Sequence, residues 1–326
     1  MKDQYGREIN YMRISVTDRC NLHCSFCNPK EGICYQDFVN ILNYDEIMKA
    51  VRAVIPLGIR NFRITGGEPL VREGIVCFIR DLKRTAGVDE VYLTTNGTLL
   101  EQHLEALTEA GLDGVNISLC SAYPKEYETI TGHNSAKKVI SAILASAGFG
   151  LHTKVNCVSR PDMTPEQYRD IADLARDYPI DVRFIEMMPI GYGTSFRTVS
   201  GKEILKQLEE AYGKASPGAM VQGNGPAEYY RFPDFTGHLG FINARSCSFC
   251  GRCNRVRLTA DGWLKLCLSY EEGLDLREML RSNASVRELT LKIGKAILLK
   301  PVQHDFNQRM DHAYRRNVRA MSQIGG

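Results

Sequence analysis

Residues 11 to 27 read YMRISVTDRCNLHCSFC: a short strand pattern that runs directly into three cysteines within eight positions. The first seven residues, 11–17, are apolar at alternate places and rich in β-branched side chains, as a half-buried strand requires. After them the chain turns polar and brings Cys20, Cys24 and Cys27 close together. Four thiolates would close a tetrahedral metal site, whereas three leave one coordination position open for chemistry.

Working outward, the same order of strand, motif and amphipathic helix recurs. Strands are predicted at NFRIT (61–65), EVYLTT (90–95), GVNISL (114–119), TKVNCV (153–158) and DVRFIEM (181–187). Helical periodicity fills the gaps, as in YDEIMKAVRAVI and in TPEQYRDIADLARDY, which opens with a Thr cap and a Pro at the first helical position. Six such units imply an α/β fold, a parallel sheet with right-handed crossovers curved into a partial, open (β/α)6 TIM-type barrel. In such a barrel the functional rim is at the C-terminal ends of the strands. TGGEP (65–69), TTNG (94–97) and SLCS (118–121) each follow a strand, as the cysteine run does. Residues 1–216 are therefore read as the barrel. Residues 217–326, with a glycine-containing loop, short β runs EYYRF and LGFIN, a second cysteine group and two terminal helices, are read as an appended region.

At 326 residues, with 44% apolar and 24% charged residues, the chain can bury a full core. A net charge of +3 does not argue for nucleic acid or a membrane surface. No apolar run has the length of a transmembrane helix and the first residues lack a signal-peptide core, so a cytoplasmic protein is expected. In a reducing compartment eleven cysteines point to metal or redox roles. Cys34, Cys77, Cys120 and Cys157 are scattered singly and read as small buried thiols, whereas Cys247, Cys250, Cys253 and Cys267 form a second group. The spacing there, C-x2-C-x2-C-x13-C, admits either a four-thiolate structural site or three ligands with one spare.

The C-x3-C-x2-C spacing with GGEP about forty residues later resembles the radical S-adenosylmethionine superfamily. RISVTDRCN, FRITGGEPLVR, LTTNG, VNISL, RFIEMM, SFCGRCNRVRL and the terminal IGG together resemble its GTP 3′,8-cyclase family, of molybdenum cofactor biosynthesis, from about residue 11 to the end. The resemblance implies two 4Fe-4S clusters and S-adenosyl-L-methionine as cofactors. Cys20, Cys24 and Cys27 would hold the first cluster, with Phe26 beside it and the adenine. Gly66, Gly67 and Glu68 of TGGEP, with Thr94, Asn96, Ser118 and Met188, would bind the cofactor, the two glycines allowing close backbone approach to its methionine amine. Cys250, Cys253 and Cys267 would hold a second cluster whose open iron takes the purine of GTP, leaving Cys247 as the residue that decides between the two readings.

Arg13, Arg63 and Arg183 interrupt apolar strand patterns, where an unpaired charge is costly, and Arg255 and Arg257 lie two apart in an extended segment and share a face. Guanidinium forks suit phosphate oxygens, and the resemblance makes these five the substrate-binding set. Buried salt bridges to Glu68 or Glu186 are the alternative. No side-chain nucleophile is implied. By the resemblance, a 5′-deoxyadenosyl radical would take the hydrogen at C3′ of the GTP ribose, the C3′ radical would attack C8 of guanine, and reduction and protonation would give the cyclised nucleotide, so that the protein's part would be positioning. The resemblance further implies an electron donor such as flavodoxin or ferredoxin, hand-off of product to cyclic pyranopterin monophosphate synthase, and insertion of Gly325 and Gly326 toward the active site. Homodimer formation stays open. The chain departs from the family pattern at Asn61 in place of a lysine near the phosphates, with Arg60 a substitute if strand register allows. It departs also at Asn28, in place of methionine after the third cysteine, and at Cys120, in place of aspartate. A radical enzyme acting on another nucleotide or a peptide, and a non-catalytic iron-sulfur or zinc module, remain the alternatives.

Overall fold

The computed structural model describes residues 1–31, 35–218, 225–246, 249–306 and 317–326, so Cys34 and Cys247 lie outside the described residues. All six predicted barrel strands form: β1 (Tyr11–Ser15), β2 (Asn61–Thr65), β3 (Glu90–Thr95), β4 (Gly114–Ser118), β5 (His152–Val158) and β6 (Asp181–Ile185). They pair in chain order and in parallel, with helices on the return paths. Helices Tyr44–Val54 and Pro165–Asp177 each begin in a capping box, Asn43 with Glu46 and Thr164 with Gln167, which satisfies backbone N–H groups at the helix start. Alternate strand residues such as Met12, Ile14, Phe62, Ile64, Val91 and Leu93 join the apolar core. The intervening ones, Arg13, Arg63 and Thr94 among them, face the barrel interior.

Later segments extend this sheet rather than forming a separate layer. They are β7 (Ser216–Pro217), β8 (Glu228–Arg231), β9 (Leu239–Ile242), β10 (Arg255–Leu258), β11 (Trp263–Lys265) and β12 (Gly273–Asp275). β9 pairs parallel to β6 and β10 parallel to β1; β8 and β7, and β11 and β12, continue the two ends antiparallel. The result is one open twelve-stranded sheet, ordered β12-β11-β10-β1-β2-β3-β4-β5-β6-β9-β8-β7, in which the partial barrel is central. β11 and β12 have no counterpart in the sequence reading, because three residues are too few for an alternation to register. Among the described residues no helix is long and apolar enough to cross a membrane.

The cysteine loop after β1 is docked on the end of β2. The Gly67 N–H donates to the Thr17 carbonyl and the Glu68 N–H to the Arg19 carbonyl, both at 2.7 Å. A Cβ on Gly66 would stand 2.7 Å from Thr17 O, and one on Gly67 2.3 Å from Arg19 O. The glycine pair is thus demanded by the chain's own loop, before any cofactor is considered. Gly67→Ala has no flexible neighbour to displace, since the obstacle is backbone. It should cost about 1–3 kcal/mol or more as an overpacked site, seen as a lowered melting temperature, and should lower cluster content after reconstitution because the loop that carries the thiols is displaced.

Candidate active site

Both cysteine groups open into one cavity of about 310 Å³ at the barrel rim and interior. Cys20, Cys24 and Cys27 come from the loop after β1. Cys250 and Cys253 flank a 3-10 turn just before β10, and Cys267 follows β11, so the β10–β11 hairpin folds the three together. All six line the cavity, and so do Phe26, Gly66, Gly67, Thr94, Asn96, Ser118 and Met188. Among the described residues no three His, Cys, Asp or Glu side chains are placed to hold a single metal ion between them. The donor sets do fit clusters bound by three thiolates, because N–H groups are already aimed at the sulfurs. Leu22 N donates to Cys20 Sγ at 3.4 Å, Asn96 Nδ2 approaches the same sulfur at 3.8 Å, and His304 N donates to Cys250 Sγ at 3.3 Å.

Glu68 does not line the cavity. Fully buried, it accepts from Leu70 N at 3.0 Å, Thr95 Oγ1 at 2.8 Å and Asn96 N at 2.6 Å, and so ties the rim loops of β2 and β3 together. Burial raises its carboxyl to about 7 against the lowering effect of those three bonds.

All five arginines reach the cavity. β10 pairs with β1 so that Arg257 lies beside Arg13, and β1 with β2 so that Arg13 lies beside Arg63. Three guanidinium groups therefore stand in one row on adjacent strands, with Arg255 beside Tyr11 in the same register and Arg183 also on the cavity lining, from β6. The salt-bridge alternative is not what forms. Glu68 is occupied as above, Glu186 accepts from the backbone N–H groups of Arg245 and Ser246 at 2.6 and 3.0 Å, and no carboxylate among the described residues pairs with any of the five. The Nε atoms of Arg13, Arg63, Arg183 and Arg255 are buried without partners. Burial first, then neighbouring arginines, push Arg13 well below its ordinary value, and burial lowers Arg257 to about 10. Arg183 Nη2 donates to Asn116 Oδ1 at 2.5 Å, and Arg257 Nη1 to Gly325 O at 2.6 Å.

That last bond places the chain end. Gly325 has φ of +75°, and a Cβ there would meet Thr65 Oγ1 at 2.4 Å; Gly326 lines the cavity. A residue with a side chain at 325 would be both strained and obstructed.

The departures are also located. Asn28 is buried and donates from Nδ2 to Leu22 O at 3.0 Å, bracing the cysteine loop. Asn61 begins β2, at the end of the strand away from the rim, on the face it shares with Arg63. Arg60 points the other way and pairs with Asp89 at 3.8 Å on the surface, so the register does not let it stand in for a lysine at 61. Cys120 and Cys157 are buried thiols, as expected, and Cys120 lines the cavity; Cys77 is instead exposed, on the outer face of helix Ile75–Arg84.

Several cations were not foreseen. Lys154, 2% exposed in β5, holds its ammonium 6.0 and 5.8 Å from the rings of Tyr92 and Tyr229. Its signal, a charge inside the apolar run TKVNCV, is the one that marked the arginines. Burial, then Arg183, lower it to about 7. Lys300, also 2% exposed, donates to the carbonyl of Leu266, next to Cys267, and has no carboxylate partner among the described residues. It follows the last long helix, where no sequence pattern singles it out. Arg7 binds the Cys250 carbonyl at 3.0 Å and those of Val302 and Pro301 at 2.8 and 2.6 Å, pinning this wall to the N-terminus.

The two thiol groups consequently sit in opposite fields. Burial raises Cys20 to about 11 and Cys27 to about 12. Burial also acts to raise Cys253, but Lys300, Arg255 and Arg7 bring it down to about 6. In metal-free, reduced protein at pH 7, Cys253 should be roughly nine-tenths thiolate and should be alkylated by iodoacetamide before Cys20 and Cys27. Lys300→Met should slow its modification several-fold, as read by peptide mass spectrometry. Equal reactivity of the three thiols would contradict this ordering.

The radical SAM superfamily matches residues 14–175 and the family described as Molybdenum Cofactor Synthesis C matches residues 180–306. Proteins named GTP 3′,8-cyclase are similar over their whole length and the whole of this chain. That of Clostridium perfringens (strain 13 / Type A) is 40% identical over 329 residues, that of Alkaliphilus oremlandii (strain OhILAs) 43% over 331, and that of Desulforamulus reducens (strain ATCC BAA-1160 / DSM 100696 / MI-1) 42% over 330. Among solved structures, Streptococcus suis SuiB bound to S-adenosylmethionine superposes with a TM-score of 0.63 at 13% identity, covering 89% of this chain and 67% of that one, which is a likeness of fold.

Proposed function

Because this chain belongs to the GTP 3′,8-cyclase family of the radical SAM superfamily, we propose that it is a radical SAM lyase converting GTP to (8S)-3′,8-cyclo-7,8-dihydroguanosine 5′-triphosphate for molybdenum cofactor biosynthesis. The observation that carries the proposal is that two three-thiol groups face one cavity lined by five arginines that have no carboxylate partner among the described residues, four of them with an unpartnered Nε. A nucleoside triphosphate answers that arrangement: it supplies the anions that buried guanidinium groups lack and a base to anchor at the second group.

Cys20, Cys24 and Cys27 would hold the first 4Fe-4S cluster, with Asn96 and Leu22 as hydrogen-bond donors to its thiolates. When bound, that cluster and S-adenosylmethionine supply the electron and the carbon radical that begin the reaction. Gly66, Gly67, Thr94, Asn96, Ser118, Met188 and Phe26 are assigned to the cofactor by their places on the lining, and Glu68 by holding Asn96 and Thr95 in position. Cys250, Cys253 and Cys267, in the region from 217 onward, are assigned to the second cluster. Arg13, Arg63, Arg183, Arg255 and Arg257, joined by Lys154, bind and orient the nucleotide. A primary carbon radical takes the nearest accessible hydrogen, so holding the base at one end and the phosphates at the other selects C3′. Gly325, held through its carbonyl by Arg257, and Gly326 on the lining bound the space between. A low-potential donor such as flavodoxin or ferredoxin would deliver electrons, and the product would pass to cyclic pyranopterin monophosphate synthase.

Anaerobic incubation of reconstituted protein with S-adenosylmethionine, dithionite and GTP, ATP or CTP in parallel decides the substrate. 5′-Deoxyadenosine and a cyclised nucleotide are expected with GTP alone; deoxyadenosine at equal rates with all three, or with none, rejects GTP. Cys267→Ala should still cleave S-adenosylmethionine slowly yet form no cyclised product.

The lowered Lys154 gives a pH signature. Above about 7 its free form loses the proton, so a triphosphate that requires the ammonium must restore it on binding. GTP affinity should then fall by up to about tenfold per pH unit from 7.5 to 9. Lys154→Met should weaken GTP at pH 7 by about 10- to 100-fold and flatten the profile, measured by equilibrium titration without reductant.

A further inference from the structure

His304 lines the second-group end of the cavity and has no part in the assignments so far. Its backbone N–H is engaged by Cys250 Sγ. Its ring stacks on Phe306 at 4.2 Å between centroids and 22° between planes. Nδ1 accepts the N–H of Phe306 at 3.3 Å. A ring nitrogen that accepts a backbone N–H carries no proton, so the proton of the neutral imidazole is on Nε2. That Nε2–H is buried and has no acceptor among the described residues. The cations that act on Cys253 in this wall, Lys300, Arg255 and Arg7, are donors and offer it no acceptor. A buried donor with its tautomer fixed and no acceptor is rare enough in a folded protein to require a reason.

We propose that His304 is a specificity-determining residue whose Nε2–H donates to the keto oxygen at C6 of the purine held at the second cysteine group. The proposal rests on the GTP reading and deepens it. Guanine and hypoxanthine carry an acceptor at C6. Adenine carries an amino donor there, so its N–H would face the histidine N–H with neither satisfied. Rejection of a ligand that leaves a buried polar group unpaired is stronger than rejection by shape alone. The rigid mounting matters as much as the donor: the Phe306 stack and the Nδ1 bond hold the ring in a single orientation, so it cannot rotate to present an acceptor to adenine.

The test is equilibrium binding to the full-length, reconstituted protein, anaerobic and without reductant. Three nucleotides are compared: GTP, ITP, and 2-aminopurine riboside triphosphate, which lacks the C6 oxygen of GTP and with it the N1–H. The parent should bind GTP and ITP about 10- to 100-fold more tightly than the analogue. His304→Phe keeps the ring and the backbone bond to Cys250 but removes the N–H. It should lose that factor for GTP and ITP while leaving the analogue unchanged; His304→Gln, which can again present an amide N–H, should recover part of it. Electron paramagnetic resonance of the second cluster, recorded on a separate dithionite-reduced sample of each variant, and the melting temperature show whether the site is intact. If His304→Phe weakens all three nucleotides alike, or shifts the cluster spectrum without altering discrimination, the N–H serves the cluster or the fold and the proposal is overturned. A parent that binds GTP and the analogue equally overturns it while the GTP reading stands. A parent that binds neither GTP nor ITP takes both down.

Discussion

Three buried guanidinium groups in one row, Arg257, Arg13 and Arg63 on adjacent parallel strands, are the constraint around which the rest of the molecule is organised. Like charges side by side in an interior repel, and each has lost much of its hydration. A carboxylate row opposite them would relieve the strain and would also fill the cavity. The fold does neither: Glu68 and Glu186 are turned toward backbone N–H groups at the rim, and two of the five arginines donate in the interior to neutral oxygens, Arg183 to the amide of Asn116 and Arg257 to the carbonyl of Gly325. The cationic floor is tolerated because a sheet buried under helices is stable enough to carry it, and it is relieved only by a polyanionic ligand. Affinity for such a ligand is then partly the recovery of a cost already built into the folded state.

The same economy separates the two thiol groups. The first is surrounded by apolar and neutral groups and by the buried carboxyl of Glu68, which hold its thiols in the protonated form when metal is absent. The second is walled by Lys300, Arg255 and Arg7. Positive charge stabilises the more reduced, more negative state of a cluster, so two centres of one composition need not share a potential. The difference is written in side chains outside either cysteine group.

How much of this was legible beforehand follows from period and chemistry. The six barrel strands and the rim position of the cysteines, TGGEP and TTNG could be read because strand alternation and glycine punctuation are local. The arginines of β1, β2 and β6 stood out as charges in apolar runs, and Lys154 carried the same mark but was passed over. RVRL, by contrast, could be read as extended but not as β10: that it lies beside β1, and so brings Arg257 next to Arg13, depends on a pairing across most of the chain. The roles of Gly66 and Gly67 were legible only in part, since the backbone that approaches them is that of Thr17 and Arg19 as well as any ligand. His304 and Lys300 follow helix Val286–Leu298 in a loop with no periodic pattern, and only their partners distinguish them.

The pairing of β10 with β1 has a consequence for how the protein is made. Asn254 and Asn10, which flank that pair, bond to each other across 244 positions of sequence. At translation rates of 5–20 residues per second, β1 leaves the ribosome roughly 10 to 50 s before the strand that covers its outer edge. During that interval the edge of β1 is an open hydrogen-bonding surface, next to three thiols still without the wall that will enclose them. A cell that inserts iron and sulfide into the first site therefore meets either a half-covered nascent chain or a finished one. The second group cannot be offered early at all, since its last thiol, Cys267, is made after β10. Maturation is ordered by the position of one strand, and depletion of whatever protects the unfinished edge should show first as aggregation of incomplete chains rather than as loss of activity in completed ones.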